Sequence, residues 1–110
     1  MKTGILAQVQ IAEADVEQEL YTVPASYWAG ISTILICNQA ATVKTFSLRV
    51  RPTFETDPAD KQFIFKECPV PGNDTFEITV GLVLGPVETL RIVGSTTGMS
   101  ATVFGWEKPV

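Results

Sequence analysis

The chain contains no histidine. This removes the commonest general base and the commonest metal ligand together, and with them the Ser–His and Cys–His nucleophile pairs. Carboxylate, lysine and cysteine chemistry stays open in principle, but no paired catalytic group occurs at a recognisable spacing. Nor is there a glycine-rich phosphate loop. Gly81, Gly85, Gly94 and Gly98 are scattered at turns and strand edges, where glycine relieves backbone strain. The expectation is a protein that is not an enzyme, with no catalytic residue, no cofactor and no metal.

Charge is also scarce. Only 18% of residues are charged, against about 25% in a typical soluble domain. A chain with so few surface charges fits a protein that hides part of its surface against partners. The 8 basic residues form no run and face 12 acidic ones, for a net charge of −4. Nucleic-acid binding needs clustered cations to displace phosphate counterions, so no nucleic-acid partner is expected. Long apolar runs are missing too. The N-terminal run is broken by Gln8 and Gln10 before a signal-peptide core could form. No stretch approaches the roughly 20 residues that cross a bilayer. The chain is therefore expected to be made soluble, with no membrane partner.

Cysteine is limited to Cys37, in the apolar run Ile31 to Cys37, and Cys68, just before Pro69. The spacing leaves a disulfide between them open. Two scattered thiols fit a reduced protein made in a cytosol better than a secreted scaffold.

What the sequence does contain is a period of two. In Thr45 to Arg51, Phe46, Leu48 and Val50 take one face while Thr45, Ser47, Arg49 and Arg51 take the other. Thr75 to Val80 repeats the pattern, with Phe76, Ile78 and Val80 inward. Such alternation describes a strand with one buried and one wet face. Ile5 to Ile11 alternates Ile5, Ala7, Val9 and Ile11 against Leu6, Gln8 and Gln10. Glu19 to Val23 is halted by Pro24, and Ile31 to Cys37, apolar on both faces, is placed centrally. Gln62 to Phe65, Leu90 to Val93 and Ala101 to Trp106 complete the set. Turn-forming segments separate these runs at roughly ten-residue spacing. Ala12 to Gln18 is too short for an independent helix and reads as a loop with at most one helical turn.

The chain, 1–110, is thus expected to be one all-β domain. Its fold class is an antiparallel two-sheet β-sandwich, jelly-roll or immunoglobulin-like, of about eight short strands. Phe46, Leu48, Val50, Phe76, Ile78, Val80, Leu90 and Ile92 should line the core.

Two loops carry weak signals. Glu55, Asp57 and Asp60 place three carboxylates together, but their spacing matches no calcium loop and a solvated connection is expected. Asn73-Asp74-Thr75 fits the glycosylation pattern, which matters only in a secreted eukaryotic protein; after Pro71-Gly72 it reads as a turn. The aromatic residues are more informative. Tyr27-Trp28 falls in a turn before the central strand, and Phe54 and Trp106, the latter near the C-terminus, are grouped with it. Exposed aromatic rings stack on sugars or anchor protein partners. Ile5, Ala7, Val9 and Ile11, on an N-terminal arm of residues 1–18, complete the candidate partner interface. A sandwich has edge strands able to pair with other chains, so this arm is expected to pair with a neighbour in a homo-oligomer.

One resemblance bears on function. Leu20-Tyr21-Thr22-Val23-Pro24-Ala25 is followed by an apolar strand ending in Cys37-Asn38, and then by Phe46-Ser47-Leu48-Arg49-Val50-Arg51-Pro52. Asn73-Asp74-Thr75-Phe76 then runs to Gly81-Leu82-Val83-Leu84, and a late strand ends in Phe104-Gly105. In this order, covering Leu20 to Gly105, the pieces resemble small virion structural proteins of tailed bacteriophages. The chain departs from that pattern at Ser26-Tyr27-Trp28, where a glycine-rich turn is usual. The resemblance implies a particle component without catalytic residues, made in the host bacterial cytoplasm and located in the virion. Its partners would be other virion proteins, either the major capsid protein or tail proteins. A capsid cement or decoration protein stabilising the head is favoured over a tail, fibre or baseplate component with host-glycan binding, because the chain is one small domain without a repetitive shaft.

Overall fold

A computed structural model describes residues 2–79 and 81–110. Among these residues nine strands form, joined by turns and one 3-10 turn at Asp60–Gln62. They are β1 (Lys2–Gln10), β2 (Gln18–Thr22), β3 (Tyr27–Asn38), β4 (Lys44–Arg51), β5 (Phe63–Val70), β6 (Asp74–Ile78), β7 (Leu82–Leu84), β8 (Thr89–Gly94) and β9 (Met99–Pro109). The larger sheet has the order β1-β9-β3-β6, with β7 also paired to β3. The smaller has the order β2-β8-β4-β5. Every pairing is antiparallel.

The order follows a simple rule. The first half of the chain pairs with the second half in reverse: β1 with β9, β2 with β8, β3 with β6 and β7, β4 with β5. Successive pairs alternate between the two sheets. A long hairpin rolled up in this way is a jelly roll, which decides between the two sandwich types expected from the sequence.

The core forms where the alternating faces meet. Leu48 lies opposite Ile92 and Val50 opposite Leu90 across β4 and β8. Phe46, Leu48, Leu90 and Ile92 of the smaller sheet are buried, as are Ile34, Ile36, Ile78 and Val103 of the larger. Phe76, on the edge strand β6, is only partly buried, and so is Val50 near the end of β4. Phe76 still meets Phe46 of the opposite sheet edge-on, with ring centroids 5.5 Å apart. Val80, also expected in the core, lies outside the described residues.

Several expectations are corrected. Tyr27-Trp28 is not a turn but the start of β3, whose twelve residues run well beyond Ile31 to Cys37. The three-residue strand β7 was not distinguished, being too short to show a period. β5 runs past the expected end at Phe65 as far as Val70 and includes Cys68 and Pro69. Pro69 is accommodated because β5 is an edge strand, where a missing N–H costs little. The thiols are unbonded: Cys37 shares the outward face of β3 with Leu35, while Cys68 packs inward against the core.

The N-terminal arm is corrected most. Lys2 to Gln10 pairs with β9 of its own chain, and Leu6, Ala7 and Val9 pack against the core. It is a wall of the sandwich and not a detachable strap, so removing it would damage the fold as well as any assembly. The register shifts between Ile5 and Ala7. This bulge places Leu6 inward and turns Ile5 outward, 53% exposed, away from its alternation partners Ala7 and Val9. Only the outer edge of β1 remains open to another chain.

Polar clamps close both ends of the sandwich. At one end the buried Asn38 side chain donates to the carbonyls of Thr42, Val70 and Pro71 and accepts from the Ala40 N–H. At the other, the Tyr21 hydroxyl on β2 donates to Glu107 Oε2 on β9 at 2.5 Å, joining the sheets. Burial, then the hydrogen bond to Glu107 and its charge, push the Tyr21 phenol well above its ordinary value of 10.0. The unfolded chain therefore releases this proton first. The contribution is fully present below pH 10 and is lost as pH climbs from there toward the folded-state value. Tyr21→Phe should cost about 1–3 kcal/mol at pH 8 by leaving the carboxylate without its donor. The gap to wild type should narrow above about pH 10 in urea unfolding curves. A gap constant to about pH 11 would refute the assignment.

Candidate interaction surface

On β9 the alternation is clean. Met99, Ala101, Val103, Gly105 and Glu107 are buried, while Ser100, Thr102, Phe104, Trp106 and Lys108 face outward. Strand pairing carries that outward face sideways. Trp106 lies opposite Gly30 on β3 and Thr3 on β1. Gly30 in turn lies opposite Val83 on β7. Phe104 lies opposite Ile5, and Lys108 opposite Trp28. One face of the larger sheet thus gathers Ile5, Trp28, Val83, Phe104 and Trp106 from four strands.

The indoles are seated by glycines. A Cβ on Gly30 would lie 2.2 Å from Cε2 and Nε1 of Trp106, so the ring occupies the space that a side chain would fill. A Cβ on Gly85 would come within 3.4 Å of Trp28 Cζ3. Trp28 is 44% and Val83 62% exposed. Between the rings runs an open groove of about 460 Å³, lined by Trp28, Val83, Trp106, Lys108, Pro109 and Val110. A smaller recess of about 170 Å³ continues it over Gly30 and Ser32, sharing Val83 and Trp106. The C-terminal wall is held by the Val110 N–H donating to the Ser26 carbonyl at 2.9 Å. Among the described residues Lys108 is the one charged side chain lining the groove. This chemistry favours contact with an apolar or aromatic partner group.

The sequence matches no model of a known protein family and no curated protein.

Of the eight candidate interface residues, Ile5, Trp28 and Trp106 come together on this face. Ala7 and Val9 pack against the core, and Ile11 is buried, 1% exposed, against Gly94. Tyr27 also packs inward. These four are corrected from interface to core, because β1 and β3 each turn one face to the facing sheet. Phe54 stands apart on the loop after β4, 84% exposed. That loop is tied to the β7–β8 turn by the Thr53 hydroxyl donating to the Pro86 carbonyl, which brings Phe54 to the same end of the sandwich as Trp28. Val83 and Phe104 were missed. Alternation along β9 marked Phe104 as outward, but β7 is too short to show a period, and nothing local says that β7 and β9 flank β3.

The carboxylate loop behaves as a solvated connection. Glu55 accepts from Lys61 Nζ at 2.6 Å and from Gln62 Nε2 at 2.9 Å, and these bonds hold its carboxyl below the ordinary range. Among the described residues no group of three His, Cys, Asp or Glu side chains is placed to hold a metal.

A second cluster was missed altogether. Arg49 and Arg51 on β4 and Arg91 on β8 share the outer face of the smaller sheet, around the carboxylate of Glu17. Arg49-x-Arg51 is visible as an i, i+2 pair, but Arg91 joins it only through the β4–β8 register, which sets it opposite Arg49.

Proposed function

We propose that the protein is a non-enzymatic assembly subunit that docks on a partner protein through the aromatic outer face of its larger sheet. The observation that carries this reading is the indole pair seated on glycines, Trp28 exposed and Trp106 partly buried, continued by Val83, Phe104 and Ile5. Contiguous apolar surface of this kind marks interaction sites, and tryptophans dominate interface energetics. The open edge of β1 borders the same face and offers a route to a homo-oligomer.

The order of motifs resembling tailed-phage virion proteins supports placing the partner in a virion, with the major capsid protein as the favoured partner and a cement or decoration role on the head. The jelly-roll wrap agrees with this, being a topology used by viral capsid domains. It is also used by lectins, so fold alone does not choose. A small tail or baseplate component would use the same surface.

Three measurements test the reading. Trp28→Ala and Trp106→Ala, each keeping a strand-type circular dichroism spectrum, should weaken binding to purified particles or shells by about 30-fold or more. Unchanged binding in both variants would refute the docking face. Saturable binding to one sugar class on a glycan array, lost in Trp28→Ala, would overturn protein docking in favour of glycan recognition. Copy number tests location. Hundreds of copies spread over the head support decoration; a few copies confined to the tail overturn it; absence from purified particles overturns the virion reading.

A further inference from the structure

The chain's three arginines all stand at one place on the smaller sheet, opposite the aromatic face in both position and chemistry. Glu17 Oε1 accepts from Arg49 Nη1 at 2.8 Å, and Oε2 accepts from Arg51 Nη2 at 2.6 Å. Arg91 Nε approaches Oε2 only to 3.4 Å. Among the described residues the Arg91 side chain makes no hydrogen bond, and the Nε–H groups of Arg49, Arg51 and Arg91 are all buried without a partner. Two carboxylate oxygens are thus spread over three guanidinium groups. Like charges directly opposite one another on neighbouring strands repel, and Arg49 and Arg91 are such a pair. Glu19 lies opposite Arg91 across β2 and β8, yet no ion pair joins them.

The cluster is held ready. Arg49 stacks on the Phe63 ring, its guanidinium carbon 4.0 Å from the centroid, and Lys66 lies 5.4 Å from the same ring. The arginine side chains keep 11–23% of their surface exposed. They are accessible from solvent, but in surroundings where charge is less screened than in water. Glu17 is carried on the irregular segment between β1 and β2, not on a strand. Burial works against its charge, but the hydrogen bonds and charges of Arg49 and Arg51 outweigh that and hold its carboxyl below the ordinary value of 4.5.

We propose that this face is a binding site for an oxyanion, taken up by Arg91 and Arg49 beside Glu17, whose own carboxylate already shows what the site recognises. Guanidinium forks match carboxylate and phosphate oxygens alike, so the chemistry is shared by free phosphate, sulfate and the acidic groups of a larger ligand.

Arginine Nε–Hε signals in ¹H–¹⁵N spectra, followed while inorganic phosphate is added at constant ionic strength, test the site. Saturable shifts at Arg91 and Arg49 are expected with phosphate and not with chloride. An acetate arm separates tetrahedral anions from carboxylates: a response to phosphate alone assigns the former, an equal response to both the latter. Glu17→Gln removes the resident competitor and should bind about tenfold tighter. Phosphate at a few millimolar should then raise the melting temperature of Glu17→Gln more than that of wild type, a gain that a purely structural ion cluster would not show. Should Glu17→Gln fail to fold with or without phosphate, Arg91→Gln decides. It removes the guanidinium with the least hydrogen bonding and should abolish the response while the rest of the spectrum is retained. Shifts equal to those with chloride, or an Arg91→Gln variant that responds like wild type, would overturn the proposal.

Discussion

Gly105→Ala is expected to destabilise the protein by about 3 kcal/mol or more and to leave little folded material at 37 °C. Gly105 lies where the two longest strands run side by side, opposite Ile31 on β3 and Gly4 on β1. A Cβ there would come within 1.9 Å of the Gly30 carbonyl oxygen, 3.0 Å of its carbonyl carbon and 3.2 Å of Ile31 Cα. All three are backbone atoms, so no rotamer change relieves the clash. β9 must instead move away from β3 and pull Trp106 off its seat on Gly30. Gly81→Ala is the control, since a Cβ there meets none of the described residues within 4 Å; its effect should stay within about 0.5 kcal/mol. Chemical denaturation of both variants beside wild type checks the pair. A Gly105→Ala protein as stable as Gly81→Ala would show that β3 and β9 do not approach as described.

Leu48→Ala is expected to cost about 2–5 kcal/mol. Leu48 is 0% exposed, central on β4 and opposite Ile92. The loss combines the transfer energy of the missing carbons with the cavity left between two sheets that both resist collapse. Val50→Ala, on the same face but only partly buried near the strand end, should cost clearly less. Urea midpoints of the two variants give the comparison. Equal costs would mean that burial along β4 does not grade toward its centre.

Much of this architecture is legible residue by residue. Phe46, Leu48, Leu90, Ile92 and Ile78 read as core because alternation in a strand assigns a face whatever lies across from it. Phe76 and Val50 read the same way but come out partly buried, because depth depends on distance from the sheet edge and the strand end. Ile5 shows where period two fails: one extra residue at the bulge inverts every assignment before it. Tyr27 and Trp28 show the limit of turn reading. Pro24 marks the turn, but how soon the next strand starts depends on β9 reaching far enough to pair with it.

The sequence alone settled that the chain is strand-built, where most strands lie, and which face of each is apolar. These properties depend on neighbours two residues apart. Tertiary pairing decided which strands adjoin. It set β9 between β1 and β3, so that Trp28, Val83, Phe104 and Trp106 became one surface. It also set β8 beside β4, so that Arg91 met Arg49, Arg51 and the Glu17 carboxylate. Alternation says which way a side chain points but not what stands next to it. That depends on contacts between residues far apart in the chain, such as Trp28 and Trp106, which only the closed jelly roll brings together.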